Sequence, residues 1–347
     1  MQMLCFFNNK GGVGKTTLLT NIASFLATRY QLRVLILDLD PQCNTTQLIV
    51  PEDRLDELMN DAQGSETILR VLEPIKFGEP SIGTKVPLIS SQSNNFGVSL
   101  LPGHPSLSLF EDTLSKAWLE MTGGQPAGLR QSLWIQQLKD QLDKKFDIAF
   151  IDVGPSIGAL NRTILLGADY FVSPLGCDLF SIIGLKNIGQ WLTDTQQTLF
   201  KSLDRLREEQ GDDILARYGL QPEFIRLADF VGYTVLQYIT KSKAGVRRPT
   251  EAFERFRRQI PEVVKESLGK RIPPQLTPEQ CDLGDVPNMY SIVPLAQYAQ
   301  KPVHLLKGAD GLSGAAHAQH KGYVGFIEAL SNRLKENLEL LPDSSTS

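Results

Sequence analysis

The feature that most constrains this chain is a ten-residue stretch near its start, NNKGGVGKTT at residues 8–17. A short apolar run, MLCFF (3–7), leads into it. TTLLTNIASFLA (16–27), apolar at helical spacing, leads out. Strand, glycine-rich turn and helix form the context of a phosphate-binding loop, because the turn aims the free N–H groups of the helix's first turn at one anion. The pattern G-x-x-x-x-G-K-[ST] is met at Gly14-Lys15-Thr16, with Asn9 where the first glycine would stand. A second lysine, Lys10, follows at once.

The loop demands a sheet around it. Buried-strand candidates recur at RVLILDLD (33–40), Val98–Leu101, FDIAFID (146–152), Tyr170–Ser173 and FVGYTVLQY (230–238), with helix-like stretches at Leu129–Leu142 and Leu185–Leu206 between them. Apolar runs alternating with amphipathic helices indicate an α/β fold, a mostly parallel twisted sheet with helices on both faces. Parallel strands end on one edge, where ligands bind. Asp40 and Asp152, both at strand ends, therefore approach the same phosphates, while Asp38 has the alternative of capping a turn or helix. Gly11, Gly12, Val13 and Gly14 let the backbone come close to an anion. Lys15 is placed to neutralise β and γ phosphates, and the Thr16 hydroxyl to ligate Mg²⁺ alongside Asp40 and Asp152.

Lys10 lies too early for the β/γ role. Its three possible ends are a solvated charge, a pair with a local carboxylate, or a phosphate on another molecule. Composition frames the choice without deciding it. The 347 residues are 41% hydrophobic and 21% charged, with a net charge of −4, as in ordinary globular chains and unlike a polycation. Cys5, Cys43, Cys177 and Cys281 form no CxxC pair and no zinc spacing, which points to a reduced, cytoplasmic setting. No apolar run reaches the length of a membrane span. The expected organisation is one P-loop domain over 1–335, with insertions at about 60–97 and 200–290; residues 60–97, rich in Gly, Ser, Pro and Asn, and 270–290, with Pro273-Pro274 and Pro278, read as irregular. The end of a C-terminal helix and a disordered tail follow over 336–347.

NKGGVGKTT together with DLDPQCNTT (38–46) resembles the deviant Walker A group of ParA/MinD ATPases, a SIMIBI-like branch of P-loop NTPases. The likeness continues through FDIAFIDVGPSIGALN (146–161), DYFVSPLGCDLFSIIGL (169–185), IVPLAQYAQKPVHLL (292–306) and ADGLSGAAHAQ (309–319). It implies ATP and Mg²⁺ as cofactors and a homodimer closed over two ATP molecules, with Lys10 reaching the partner's nucleotide. It further implies that Asp40 orients the attacking water, that Asp152 holds Mg²⁺ through water, and that Thr17 meets the α-phosphate. Gln237 and Pro294 fall on the adenine side. Gly154 precedes Pro155 where the family often has two prolines, a change that removes no catalytic group. Partition or positioning of DNA or another cargo, with hydrolysis stimulated by a ParB-like adaptor, is the implied work. The rival is a nucleotide-gated regulator of an effector protein. A nitrogenase-reductase type is disfavoured by the absence of paired cysteines.

Residues 241–271 hold ten basic and four acidic side chains, a net +6 that leaves −10 on the rest. Lys241, Lys243, Arg247, Arg248, Arg255, Arg257 and Arg258 are the DNA-binding candidates, with sequence-independent phosphate contact expected. The competing reading is a solvated helix laced with Glu251–Arg255 and Glu254–Arg258 pairs. His317 and His320, three apart, lack further ligands nearby and read as ordinary surface or half-buried residues. The last helix carries Glu328, Glu336 and Glu339 against Arg333 and Lys335, which favours packing on the protein over membrane binding.

Overall fold

The computed structural model describes residues 1–341 apart from 62, 218–219, 221–224, 237–240, 244–245, 249–250, 288–291, 315 and 340; at 241–243 and 246–248 it describes the backbone alone. The strands are β1 (Gln2–Phe6), β2 (Val34–Leu39), β3 (Ser99–Leu101), β4 (Ile148–Val153), β5 (Tyr170–Gly176), β6 (Asp229–Leu236), β7 (Lys241–Lys243), β8 (Val246–Arg248) and β9 (Asp282–Val286). The first helices are α1 (Lys15–Tyr30), α2 (Asn44–Ile49), α3 (Glu52–Asn60), α4 (Ile68–Lys76), α5 (Phe110–Thr122), α6 (Pro126–Ser132) and α7 (Trp134–Leu142). The rest are α8 (Ala159–Gly167), α9 (Leu179–Gln210), α10 (Ile214–Arg217), α11 (Glu251–Leu268), α12 (Ile292–Tyr298) and α13 (Ala316–Glu339).

Seven strands form one all-parallel sheet in the order β3-β2-β4-β1-β5-β6-β9, with β1 at its centre. The side-chain period of two divides each central strand between two cores. Met3, Cys5, Leu35, Leu37, Ala149 and Ile151 face one core, built with α4 to α9 and α11. Leu4, Phe6, Val34, Ile36, Ile148 and Phe150 face the other, built with α1 and α13. This explains why the strands read as unbroken apolar runs, since both faces are buried. It also places Asp152, two residues after Phe150, on the α1 face. Asp38 and Asp152 are direct cross-strand neighbours, as are Phe6 and Asp152. On that face α13 packs through Tyr323, Ile327, Leu330, Leu334 and Leu338.

Three expectations need correction. The stretch at 60–97 is not wholly irregular, because α4 buries Ile68, Val71, Leu72 and Ile75 in the first core. Residues 270–290 contain the edge strand β9, whose Asp282, Asp285 and Gly284 gave no β pattern. The helix over 129–142 is two, α6 and α7, with the break at the buried Leu133.

Two polar side chains, Asp38 buried and His304 half-buried, tie the elements together. Asp38, fully buried, accepts from the Thr46 N–H (2.7 Å) and the Thr46 hydroxyl (2.6 Å). It therefore caps α2 from the neighbouring strand end, one of the two roles weighed for it. Asp38→Ala should cost about 1–3 kcal/mol in urea denaturation by orphaning both donors, whereas Asp38→Asn, which keeps an acceptor and places no charge in the core, should stay within about 1 kcal/mol. On the α1 face, the Thr28 hydroxyl donates to the Ser24 carbonyl (2.7 Å), so His304 Nε2 donates to Thr28 (3.2 Å), and Nδ1 has no partner among the described residues. Charging the ring would bury an unpaired proton, and burial, with His320 nearby, pushes its pKa down to about 4. The unfolded chain then binds the extra proton between about pH 6.5 and 4, so stability should fall as pH drops through that window, by up to about 3 kcal/mol. Denaturation midpoints measured across it should flatten in His304→Gln.

Candidate nucleotide site

The loop leaves β1 at Phe7 and turns on Asn8, which is buried. Asn8 Nδ2 donates to the Pro174 carbonyl (2.5 Å) and its Oδ1 accepts the Lys10 N–H (3.0 Å). The backbone is left-handed at Gly12 (φ 73°) and Gly14 (φ 75°), a conformation that side chains resist, and Gly14 delivers the chain into α1. Lys15 is the first helical residue. It is 8% exposed, with Nζ turned back to the Lys10 carbonyl at 3.5 Å. Burial lowers its pKa, against the opposing pull of Asp152 and Asp40.

Asp152 is fully buried, and its Oδ2 accepts from two hydroxyls at 2.8 Å each, Thr16 on α1 and Thr45 on α2. Its Oδ1 has no partner among the described residues. Burial raises the pKa of both Asp152 and Asp38; repulsion from Asp152 and Asp40 adds to the rise at Asp38, and repulsion from Asp40 adds to it at Asp152. Asp40 lies at the end of β2, with Oδ1 accepting the Gln42 N–H (2.9 Å). Residues 11–17, Asp40, Gln42, Asn44, Gln47, Leu48, Pro155 and Gln297 line a cleft of about 620 Å³. A second recess of about 310 Å³ meets the loop at Gly12–Gly14 and Thr17, walled by Leu236, Val286, Pro287, Val293, Pro294 and Tyr323. Pro294 thus stands beside the loop, while Gln237 lies outside the described residues.

The site fits a divalent cation of the phosphate-bound kind. A hydroxyl, a carboxylate with one free buried oxygen and a second carboxylate at the rim are oxygen donors that leave positions for phosphate and water. Among the described residues no three His, Cys, Asp or Glu side chains group as a metal cage.

Of the three ends considered for Lys10, the local carboxylate is the one it meets in this structure. Its Nζ pairs with Asp178 Oδ2, both side chains one-third exposed. Asp178 also caps α9 through the Ser181 N–H (2.9 Å). Asp178, Thr45, Asn8 and the glutamines of the cleft were not picked out from the sequence. Thr45 had a signal, since it lies inside the DLDPQCNTT segment. Asp178 had a weaker one, a capping aspartate at the head of a helix.

The basic stretch is divided by the fold. β7 and β8 form an antiparallel ribbon that sets Lys241 opposite Arg248 and Ser242 opposite Arg247; nothing is described of those side chains. Arg255 and Arg258 are exposed on α11, Arg258 with its i−4 neighbour Glu254 at 3.3 Å. Arg257 departs from the set proposed for DNA. Its guanidinium is bound to Asp282 and Asp285 at 2.6 Å each and fastens α11 to β9. His320, in α13, bonds the Val303 carbonyl at 2.8 Å. No helix of the described residues is long and apolar enough to cross a membrane.

Comparison with known proteins agrees with this geometry. A family model described as an AAA domain (AAA_31) matches residues 1–205. The virulence plasmid ParA family protein pGP5-D of Chlamydia psittaci is 30% identical over 208 residues, which cover 59% of this chain and 67% of that protein. The chromosome-partitioning ATPase Soj of Thermus thermophilus is 25% identical over 288 residues, 77% of this chain and 98% of its own. Among solved structures, a Corynebacterium diphtheriae protein is 30% identical with a TM-score of 0.74, covering 97% of this chain and 99% of its own. The family model spans more than half of the sequence, and the fold and loop agree with it: the chain belongs to the AAA_31 family of P-loop proteins and, within it, to the ParA-type ATPases.

Proposed function

We propose that this chain is an ATP-driven switch of the partition type, which binds ATP with Mg²⁺ in the cleft and pairs face to face with a second copy. The paired form binds DNA without sequence preference, and hydrolysis stimulated by an adaptor protein resets it. The observation that carries the reading is the convergence on Asp152 of hydroxyls from α1 and α2, beside Lys15 and Asp40, at the mouth of an anion-binding helix N-terminus. Thr16, Asp152 and Asp40 would hold Mg²⁺, which when bound neutralises charge on the β and γ oxygens. Lys15 and the amides of residues 11–17 stabilise the charge of the transferred phosphoryl group. Asp40 orients the attacking water.

The pairing reading draws on the surface around Lys10. The Lys10–Asp178 pair is one-third exposed, and the first turns of α9 beside it present Leu179, Phe180 and Ile183 to solvent at 53%, 73% and 44% exposure. Apolar side chains flanking an ion pair suit a face that closes on a second copy. A triphosphate there offers Lys10 a denser charge than Asp178 does, in surroundings drier than open solvent. ADP lacks the γ-phosphate and loosens the pair.

Solution mass with Mg-ATP, Mg-ADP and no nucleotide tests this reading. A dimer should form with ATP alone, persist in Asp40→Ala and disappear in Lys10→Ala. A mass indifferent to nucleotide would overturn the switch, leave the phosphate site to a constitutive assembly and favour the effector-regulator reading. For DNA, simultaneous Ala substitution of Lys241, Lys243, Arg247 and Arg248 should weaken binding of the ATP-bound form to unrelated duplexes to a similar extent and lower its salt dependence. An unchanged salt slope would remove the ribbon from the interface.

A further inference from the structure

We infer that Glu111, on α5 and outside the cleft, is a positioning residue for the loop at 154–158 that bounds the reaction site. The inference rests on the hydrolytic reading above. That loop joins β4, which carries Asp152, to α8. Its own residues do not cap the helix: Gly158 supplies no side chain, and the first two N–H groups of α8 point instead at Glu111. The Ala159 N–H donates to Oε1, and the Leu160 N–H to Oε2 at 3.1 Å. A carboxylate gripping a helix N-terminus with both oxygens is favoured by charge-assisted hydrogen bonds and by the helix dipole together. Gly158 leaves room for this contact, since a Cβ there would fall 2.1 Å from Oε1 and displace the Glu111 carboxylate. Arg162, one turn along α8, stacks over Trp118 of α5 at 4.8 Å; burial works against its charge, and Glu111 opposes that effect. The grip between α5 and α8 is thus made twice.

What this grip holds is the wall of the cleft. Asn161, in the first turn of α8 and buried, donates through Nδ2 to the Gly154 carbonyl (2.8 Å) and the Ser156 carbonyl (2.7 Å), and so reels the loop onto the helix. Gly154 lies against Asp40, with its Cβ position 3.2 Å from Oδ1, and Pro155 lines the cleft itself. The chain of contacts runs Glu111, the start of α8, Asn161, Gly154, Asp40. Glu111 is not among the residues that line the cleft. Its effect passes through the loop, on the side where Asp40 orients water, and leaves the phosphate-loop contacts alone. Small misplacements of such groups slow the chemical step far more than they weaken binding.

The test uses the full-length chain with Glu111→Ala, Glu111→Gln and Asn161→Ala. ATP turnover is normalised to the concentration of nucleotide-binding sites. Affinity for a fluorescent ADP analogue and deuterium exchange over 154–162 are measured in parallel. Glu111→Ala should lower kcat per site by about tenfold, hold ADP affinity within about twofold, and speed exchange at 154–162. Glu111→Gln keeps an acceptor for one N–H and should retain most of the turnover. Asn161→Ala, which frees the loop from the other side, should reproduce the Glu111→Ala pattern even if Glu111→Ala folds poorly. Wild-type kcat per site in both Ala variants would overturn the inference, as would unchanged exchange over 154–162. A wild-type chain that binds ATP without turning it over would instead fail the hydrolytic reading, and the exchange data would still decide whether Glu111 holds the loop.

Discussion

The carboxylate of Asp152, fully buried between the hydroxyls of Thr16 and Thr45, is the contact around which the rest of the molecule is arranged. Burying a charge is costly unless it is hydrogen-bonded and opposed by another charge. Here two threonines from two helices and the nearby Lys15 meet part of that demand, and one oxygen is left over. Asp38 and Asp40 stand at the same strand ends, and burial together with this crowding of carboxylates raises the pKa of Asp38 and Asp152. The cluster therefore favours a cation, and the adjoining helix N-terminus favours an anion. Those opposite preferences, side by side, match a metal-bound phosphate better than either ion alone.

Each segment that rings the cleft is held by a residue from a different element. Asn8 fastens the phosphate loop to β5 through Pro174. Asp38 holds α2, and with it Thr45. Asn161 and Glu111 hold the loop after β4. Asp178 holds Lys10 at the head of α9. These ties let short loops on a rigid parallel sheet keep the geometry of the cleft. Lys10 and Asp178 differ from the others in being partly open to solvent, so this pair is the tie most easily exchanged for another ligand.

The edges of the molecule were read least well, for physical reasons. β9 is a short edge strand with two aspartates and a glycine, and its pattern is governed by Arg257 binding Asp282 and Asp285, a contact between segments 25 or more residues apart. The break between α6 and α7 carries no proline or glycine; Leu133 is simply buried where the two helices change direction. α4 lies in a stretch rich in glycine, serine and proline, and its apolar face gains meaning only against α5 and the sheet. Arg257 looked like one more charge in a basic run, and its partners could not be known before β9 was placed.

What the sequence determined by itself is local. Glycines at positions of left-handed backbone, a lysine and threonine at the start of a helix, and apolar runs ending in aspartate specify a phosphate loop and a parallel sheet, because each depends on residues adjacent in the chain. The period-two alternation of β4 even places Asp152 on the α1 face. The tertiary structure alone decided which distant groups close the site: Thr45 joining Thr16 on one carboxylate oxygen, Asp178 as the partner of Lys10, and Glu111 gripping α8 from 48 positions away. Such contacts depend on strand order and helix packing, and burial of the whole chain sets those; no window of sequence contains both partners.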